Sequence, residues 1–123
     1  MVSNTTMETQ RGDISQDPTR VIILSNMFSL EGLDFASDPK YFSEIRDEVQ
    51  AECGKYGEVL NVLVESSSDG NIWVKFKEVA DSKNARNTLD GKNFRNKQVI
   101  CSYGKEESYN RREIASEKQY IPQ

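Results

Sequence analysis

Asn71-Ile72-Trp73-Val74-Lys75-Phe76 alternates Ile, Val and Phe with Asn, Trp and Lys, and the reading of this stretch decides the fold. A strand turns successive side chains to opposite faces, so Ile72, Val74 and Phe76 belong to one face and Asn71, Trp73 and Lys75 to the other. If the apolar set closes a core, the second set looks out from the sheet. Just upstream, Val59 to Glu65 is a β-branched run, and Ser66-Ser67-Ser68-Asp69-Gly70 has the composition of a turn. The two runs therefore read as an antiparallel hairpin.

Outward from the hairpin, each flank adds one helix and one strand. Lys40 to Tyr56 sets Phe42, Ile45, Val49, Cys53 and Tyr56 on one stripe at helical spacing, with Gly57 placed to stop the helix. Before it, Val21-Ile22-Ile23-Leu24 ends at Ser25-Asn26, the pattern of a central strand in which Ile22 and Leu24 face the core and Ile23 faces out. A loop with Gly32 and a turn at Asp38-Pro39 join the two. Downstream, Val79 to Leu89 reads as a second helix closed by Asp90-Gly91, and Gln98 to Tyr103 as a fourth strand after the basic-aromatic loop Lys92-Asn93-Phe94-Arg95. The order βαββαβ is the ferredoxin-like plan of the α+β class, a four-stranded antiparallel sheet with two helices on one face.

The folded unit is expected over residues 19–104. Residues 1–18, rich in Ser, Thr, Gln, Asn and Asp without a period, read as a disordered tail. Residues 105–123 are charged and helix-permissive, with Tyr109 and Ile114 as their few apolar anchors. They read either as a third helix resting on the domain or as a solvated tail.

A chain of 123 residues suffices for one core plus tails. Polar ends explain a hydrophobic fraction of only 36% and a mean hydropathy of -0.71. No apolar stretch approaches the roughly 20 residues of a membrane-spanning helix. Met1 to Gln10 lacks the basic and apolar regions of a secretory signal, so an intracellular protein with no membrane partner is expected. There is no His, and Cys53 and Cys101 stand alone, so no metal, redox group or other cofactor is implied. No activated nucleophile or glycine-rich phosphate loop is legible, which argues against an enzyme. The net charge of -4 and pI of about 4.9 oppose wholesale phosphate neutralisation and leave nucleic acid only local patches.

The first and third strands resemble the two signature motifs of the RNA recognition motif (RRM). Ile22-Ile23-Leu24-Ser25-Asn26-Met27 stands at the hexamer, and Asp69 to Phe76 at the octamer. Members that bind RNA stack bases on outward aromatics of the sheet, each stack worth about 1–3 kcal/mol. Here two of the three stacking positions are Ile23 and Asn71, and the octamer begins with Asp69 instead of a basic residue. Trp73 remains as a platform, with Lys75 beside it, unless it packs beneath the C-terminal segment or another partner, the reading preferred for it. The resemblance thus implies a sheet face weakened for RNA.

The first helix carries a second signal. With Val49 at the centre of the apolar stripe, Glu44, Glu48 and Glu52 fall about 140°, 100° and 60° to one side, so an acidic row drifts toward the core boundary. Asp47 adds to it, and between Glu44 and Glu52 four acids face a single Arg46. Together with Glu52-Cys53-Gly54-Lys55-Tyr56-Gly57, Lys92-Asn93-Phe94, Ser25 to Phe28 and Ser108 to Arg112, this resembles the UHM type of RRM found in splicing factors. The UHM type binds short linear motifs of other splicing factors in which basic residues precede a Trp, and it is nuclear. The resemblance implies that the Trp enters a pocket between the acidic helix and the Lys92-Asn93-Phe94 loop and stacks on Phe94. Glu52 and Lys92 would pair beside it, and Glu44, Asp47 and Glu48 would attract the basic residues. Lys92 stands where the family has Arg and lacks the planar fork, which implies either a looser pocket wall or compensation by a neighbour such as Arg95. The alternative is a conventional RRM reading single-stranded RNA through Trp73, Lys75 and basic tail residues, with Ile23 and Asn71 at the other outward positions.

Overall fold

The computed structural model of the chain describes residues 11–29, 40–66, 68 and 70–119. Gly32, the turn at Asp38-Pro39, Asp69 and the first ten residues of the expected tail lie outside the described residues. In chain order the elements are a 3-10 turn at Arg11–Asp13, β1 (Ile14–Ser15), β2 (Val21–Ser25), α1 (Tyr41–Cys53), β3 (Val59–Glu65), β4 (Asn71–Phe76), α2 (Val79–Leu89), β5 (Asn93–Phe94), β6 (Lys97–Gln98), β7 (Ile100–Gly104) and α3 (Glu106–Gln119). The main sheet runs β1-β7-β2-β4-β3, with every neighbouring pair antiparallel. Its inner four strands are the expected βαββαβ sheet.

The period-2 reading of the central strands holds on both faces. Ile22 and Leu24 from β2 and Ile72, Val74 and Phe76 from β4 enter one core with Ile45, Val49 and Cys53 of α1 and Ala85 and Leu89 of α2. Ile23 and Trp73 point the other way, into a smaller cluster with Val21 and Tyr109. The sheet is thus buried on both sides, because α3 lies across the face that the sequence leaves outward. Tyr109 is the anchor of α3, fully buried, whereas Ile114, the other expected anchor, is 53% exposed.

Four further boundaries differ from the sequence reading. Among the described residues the sheet has five strands, not four, because Ile14 and Ser15 pair with Gly104 and Tyr103 at its edge. Residues 11–15 of the expected tail are therefore structured, and the buried Asp13 carboxylate accepts a hydrogen bond from Arg112 at 2.9 Å. Helix α1 stops at Cys53, one turn earlier than Gly57, where the Gly54 N–H closes on the Gln50 carbonyl at 2.9 Å. The expected fourth strand splits: Lys97–Gln98 turns back on Asn93–Phe94, and the sheet strand begins at Ile100. No helix among the described residues is long and apolar enough to cross a membrane.

Candidate functional site

The Lys92-Asn93-Phe94 stretch is not an irregular loop. It forms one arm of the β5–β6 hairpin, whose two-residue turn is Arg95-Asn96 with φ of 50° and 68°. Positive φ at both central residues is the type I′ turn that matches the twist of a hairpin. Asn accepts that backbone readily, but a long side chain such as Arg pays about 1–2 kcal/mol for it. The turn lacks the Asn-Gly or Asp-Gly signature, which is why the hairpin was not legible. The backbone anchors its base: Val99 N–H donates to the Lys92 carbonyl at 2.8 Å and Gly91 N–H to the Val99 carbonyl at 2.7 Å.

Between this hairpin and α1 opens a cavity of about 420 Å³. Leu24, Met27, Val49, Leu89 and Val99 form its apolar floor and sides, Phe94 and Asn93 one wall, and Glu48, Glu52, Lys55 and Lys92 its charged rim. The volume falls in the range of about 300–1,000 Å³ typical of ligand sites, and the lining of apolar walls with a few convergent charges is the usual one. Phe94 is half-buried and packs on the main core while facing the cavity. One side chain thus plugs the end of the domain and offers a ring to the site.

The rim is wired by ion pairs. Lys55 Nζ donates to Glu52 Oε1 at 2.9 Å and Lys92 Nζ to Glu52 Oε2 at 3.3 Å. The Lys55 hydrogen bond foremost, with Lys92 adding to it, holds the Glu52 carboxyl below its ordinary range despite partial burial. Arg95 forms a two-pronged pair with Glu48, Nε to Oε1 at 3.2 Å and Nη2 to Oε2 at 2.6 Å, and its guanidinium lies 5.7 Å from the Phe94 ring centre and 5.8 Å from that of Tyr41. Asp47 has a loose contact with Arg46 at 3.6 Å, and Arg46 directs its Nε toward the Val62 carbonyl. Glu44 is exposed and has no ion-pair partner among the described residues. Of the residues expected at a peptide site, Glu48, Glu52, Lys92, Asn93 and Phe94 line one cavity. Arg95, Glu44 and Asp47 stand outside it, Arg95 tied to Glu48. Sequence reasoning missed Tyr41 beneath Arg95, and the apolar contributors Leu24, Met27 and Val99.

The other candidate surface is closed. Trp73 has no exposed surface, Ile23 has 1% and Asn71 is buried. Trp73 Nε1 donates to Glu65 Oε1 at 3.0 Å, and the Arg112 guanidinium of α3 covers the indole with its centre 4.5 Å from the ring centroid. Arg112 also donates to Glu65 at 2.9 Å, and Lys75 sits 5.4 Å from the ring centre of Tyr109. In this conformation α3 covers the platform, so Ile23, Asn71 and Trp73 are not presented to a base. Burial pushes the Cys53 thiol up to about 12 and the Cys101 thiol higher still, so both are inert core groups. Among the described residues no cluster of Cys, Asp or Glu is arranged to hold a metal ion.

Comparison with known proteins agrees with this architecture. The RNA recognition motif family profile matches residues 46–100. The chain is 36% identical over 83 residues to the 17S U2 SnRNP complex component HTATSF1 of Mus musculus, covering 67% of this chain and 11% of that protein. It is 26% identical over 99 residues to a large subunit of the splicing factor U2af from Nicotiana plumbaginifolia, covering 74% of this chain and 17% of that protein. The chain therefore spans only a small part of these curated relatives. Among solved structures, the third RRM domain of Gbp2 superposes with a TM-score of 0.54 at 16% identity, over 76% of this chain and 83% of that one. This last likeness concerns the fold alone.

Proposed function

This chain belongs to the RNA recognition motif family, with the marks of its UHM type, and we propose that it binds a short linear peptide in which basic residues precede a Trp. The observation that carries the reading is the cavity between α1 and the β5–β6 hairpin, with Phe94 in its wall and acids along its rim, on a domain whose sheet face is closed by α3. An indole burying about 200 Å² contributes roughly 5 kcal/mol gross, before the cost of ordering the peptide. Exposed contacts between the acids and the peptide's cations contribute about 0–1 kcal/mol each, so the cavity holds the ligand while the helix orients and attracts it. Names of relatives that point to a U2 SnRNP component and a splicing factor support a partner within the pre-mRNA splicing machinery, and hence action in the nucleus. The chain works by binding, without chemistry of its own.

Calorimetric titration with a synthetic peptide carrying Arg and Lys before a Trp tests this. Replacing the peptide Trp by Ala, or Phe94→Ala in the domain, is expected to weaken binding by about 30-fold or more, the mark of a central anchor. Affinity unchanged by both replacements would sink the reading. Uridine-rich RNA is the control ligand, and tight binding of RNA sensitive to Trp73→Phe would favour the sheet face instead.

A further inference from the structure

Each acid along α1 has a different degree of engagement, and Arg95 causes the largest difference. Glu52 is held by Lys55 and Lys92, both from the rim of the cavity. Glu48 is held on both oxygens by Arg95. That leaves Asp47, loosely touched by Arg46, and Glu44, which makes no ion pair among the described residues and feels Arg95 only through its longer-range field. Arg95 reaches Glu48 from the first central position of a type I′ turn, a place where Asn or Gly would sit without strain. The hairpin does not need Arg for its geometry. The guanidinium also packs on Tyr41 and Phe94, which fixes its direction toward α1.

We infer that Arg95 is a tethered competitor for the acidic helix, filling at Glu48 the place that a peptide cation would take. This rests on the reading of the cavity as a peptide site. With Glu48 neutralised, the helix reads basic residues through Glu44 and Asp47, so the domain selects a peptide with few cations before its Trp and gains little from a longer basic run. The Arg95–Glu48 pair is partly exposed, 37% and 47% for the two side chains, so a peptide Arg can exchange with it at small net gain.

The test uses the full chain, its Arg95→Asn variant, which keeps a residue suited to the turn, and Lys83→Ala, which removes one exposed positive charge from α2. Two peptides serve as probes, one with Arg-Arg before the Trp and one with Gln-Gln. Arg95→Asn is expected to tighten the Arg-Arg peptide by up to about fivefold, with a steeper loss in salt, and to leave the Gln-Gln peptide unchanged. Lys83→Ala should do much less, and adding Glu48→Gln to Arg95→Asn should cancel the gain. Equal or weaker binding of the Arg-Arg peptide by Arg95→Asn, with Phe94→Ala still abolishing it, overturns the competitor role and leaves the peptide site standing. Binding indifferent to Phe94→Ala overturns both. A guanidinium Nε–H resonance of Arg95 that shifts on addition of the Arg-Arg peptide but not of the Gln-Gln peptide supports exchange at Glu48; no difference between the two argues against it.

Discussion

Trp73 packs closely over Gly104, which leaves it room. A Cβ on Gly104 would stand 2.9 Å from Cζ3 of the indole and 3.0 Å from Cγ1 of Ile23, both fully enclosed. Gly104→Ala should therefore destabilise the domain by about 1–3 kcal/mol, the cost of overpacking a closed core, measurable as a lowered urea midpoint. A neutral effect would mean that α3 can lift to make space. At the cavity, Glu52 titrates below its ordinary 4.5 in the folded chain, first through Lys55 and then through Lys92. A depressed carboxylate contributes stability that is present above the unfolded value and lost as pH falls through the folded one. Glu106 is lowered in the same direction, chiefly by its hydrogen bond to Arg20. Glu52→Gln is expected to be less stable near pH 7 and to show a flatter loss between about pH 5 and pH 3, followed by thermal unfolding across pH. The Glu52–Lys92 contact was legible in sequence by resemblance. The Arg95–Glu48 pair was not, because it depends on a turn whose residues carry no hairpin signature.

At the scale of elements, the parts read correctly are those with a strong period. Ile72, Val74 and Phe76 alternate over a whole strand, and Ile45, Val49 and Cys53 recur along a whole helix, so their faces follow from local geometry. Strand β1 is two residues long and exists only because the edge of β7 offers Gly104 and Tyr103 as partners, a long-range fact absent from Ile14-Ser15 itself. The site of α3 was legible in part, since Trp73 packed beneath the C-terminal segment was among the readings, but its surface is mostly charged and Tyr109 is its one fully buried large apolar residue among those described. A polar set fixes it instead: Asn61 donates to the Tyr109 hydroxyl at 2.7 Å, and Arg112 bridges Glu65 and Asp13. Tyr109→Ala should thus cost about 3–5 kcal/mol, as for a large aromatic removed from a core, and release α3 from the sheet. Trp73 is the sole Trp of the chain, so its fluorescence reports the event directly. Emission is expected to move to longer wavelength in Tyr109→Ala. An unshifted spectrum would show that Arg112 and Glu65 hold the cover in place without Tyr109.

Across the whole molecule, the sheet separates two surfaces of different character. On one side α3 closes the platform with a tyrosine and an arginine that pairs with the buried Asp13 and the partly buried Glu65; on the other, α1 and the β5–β6 hairpin leave a cavity with charged edges. No residue of the Tyr109–Trp73 cluster lines the cavity, so perturbations of the two should add rather than couple. A ligand that binds only the folded chain stabilises it by about 2.7 kcal/mol when present at 100 times its dissociation constant. For a domain of this size that corresponds to a rise in Tm of roughly 10 °C. The Arg-Arg peptide with its Trp is expected to produce this rise in the wild-type chain, and its Trp→Ala form, at the same concentration, almost none. In Tyr109→Ala, which begins from a lower Tm, the stabilisation in free energy should be the same within about 0.5 kcal/mol. A markedly smaller gain in that variant would mean that α3 and the cavity communicate through the strands between them, and that closing the sheet face is part of what shapes the peptide site.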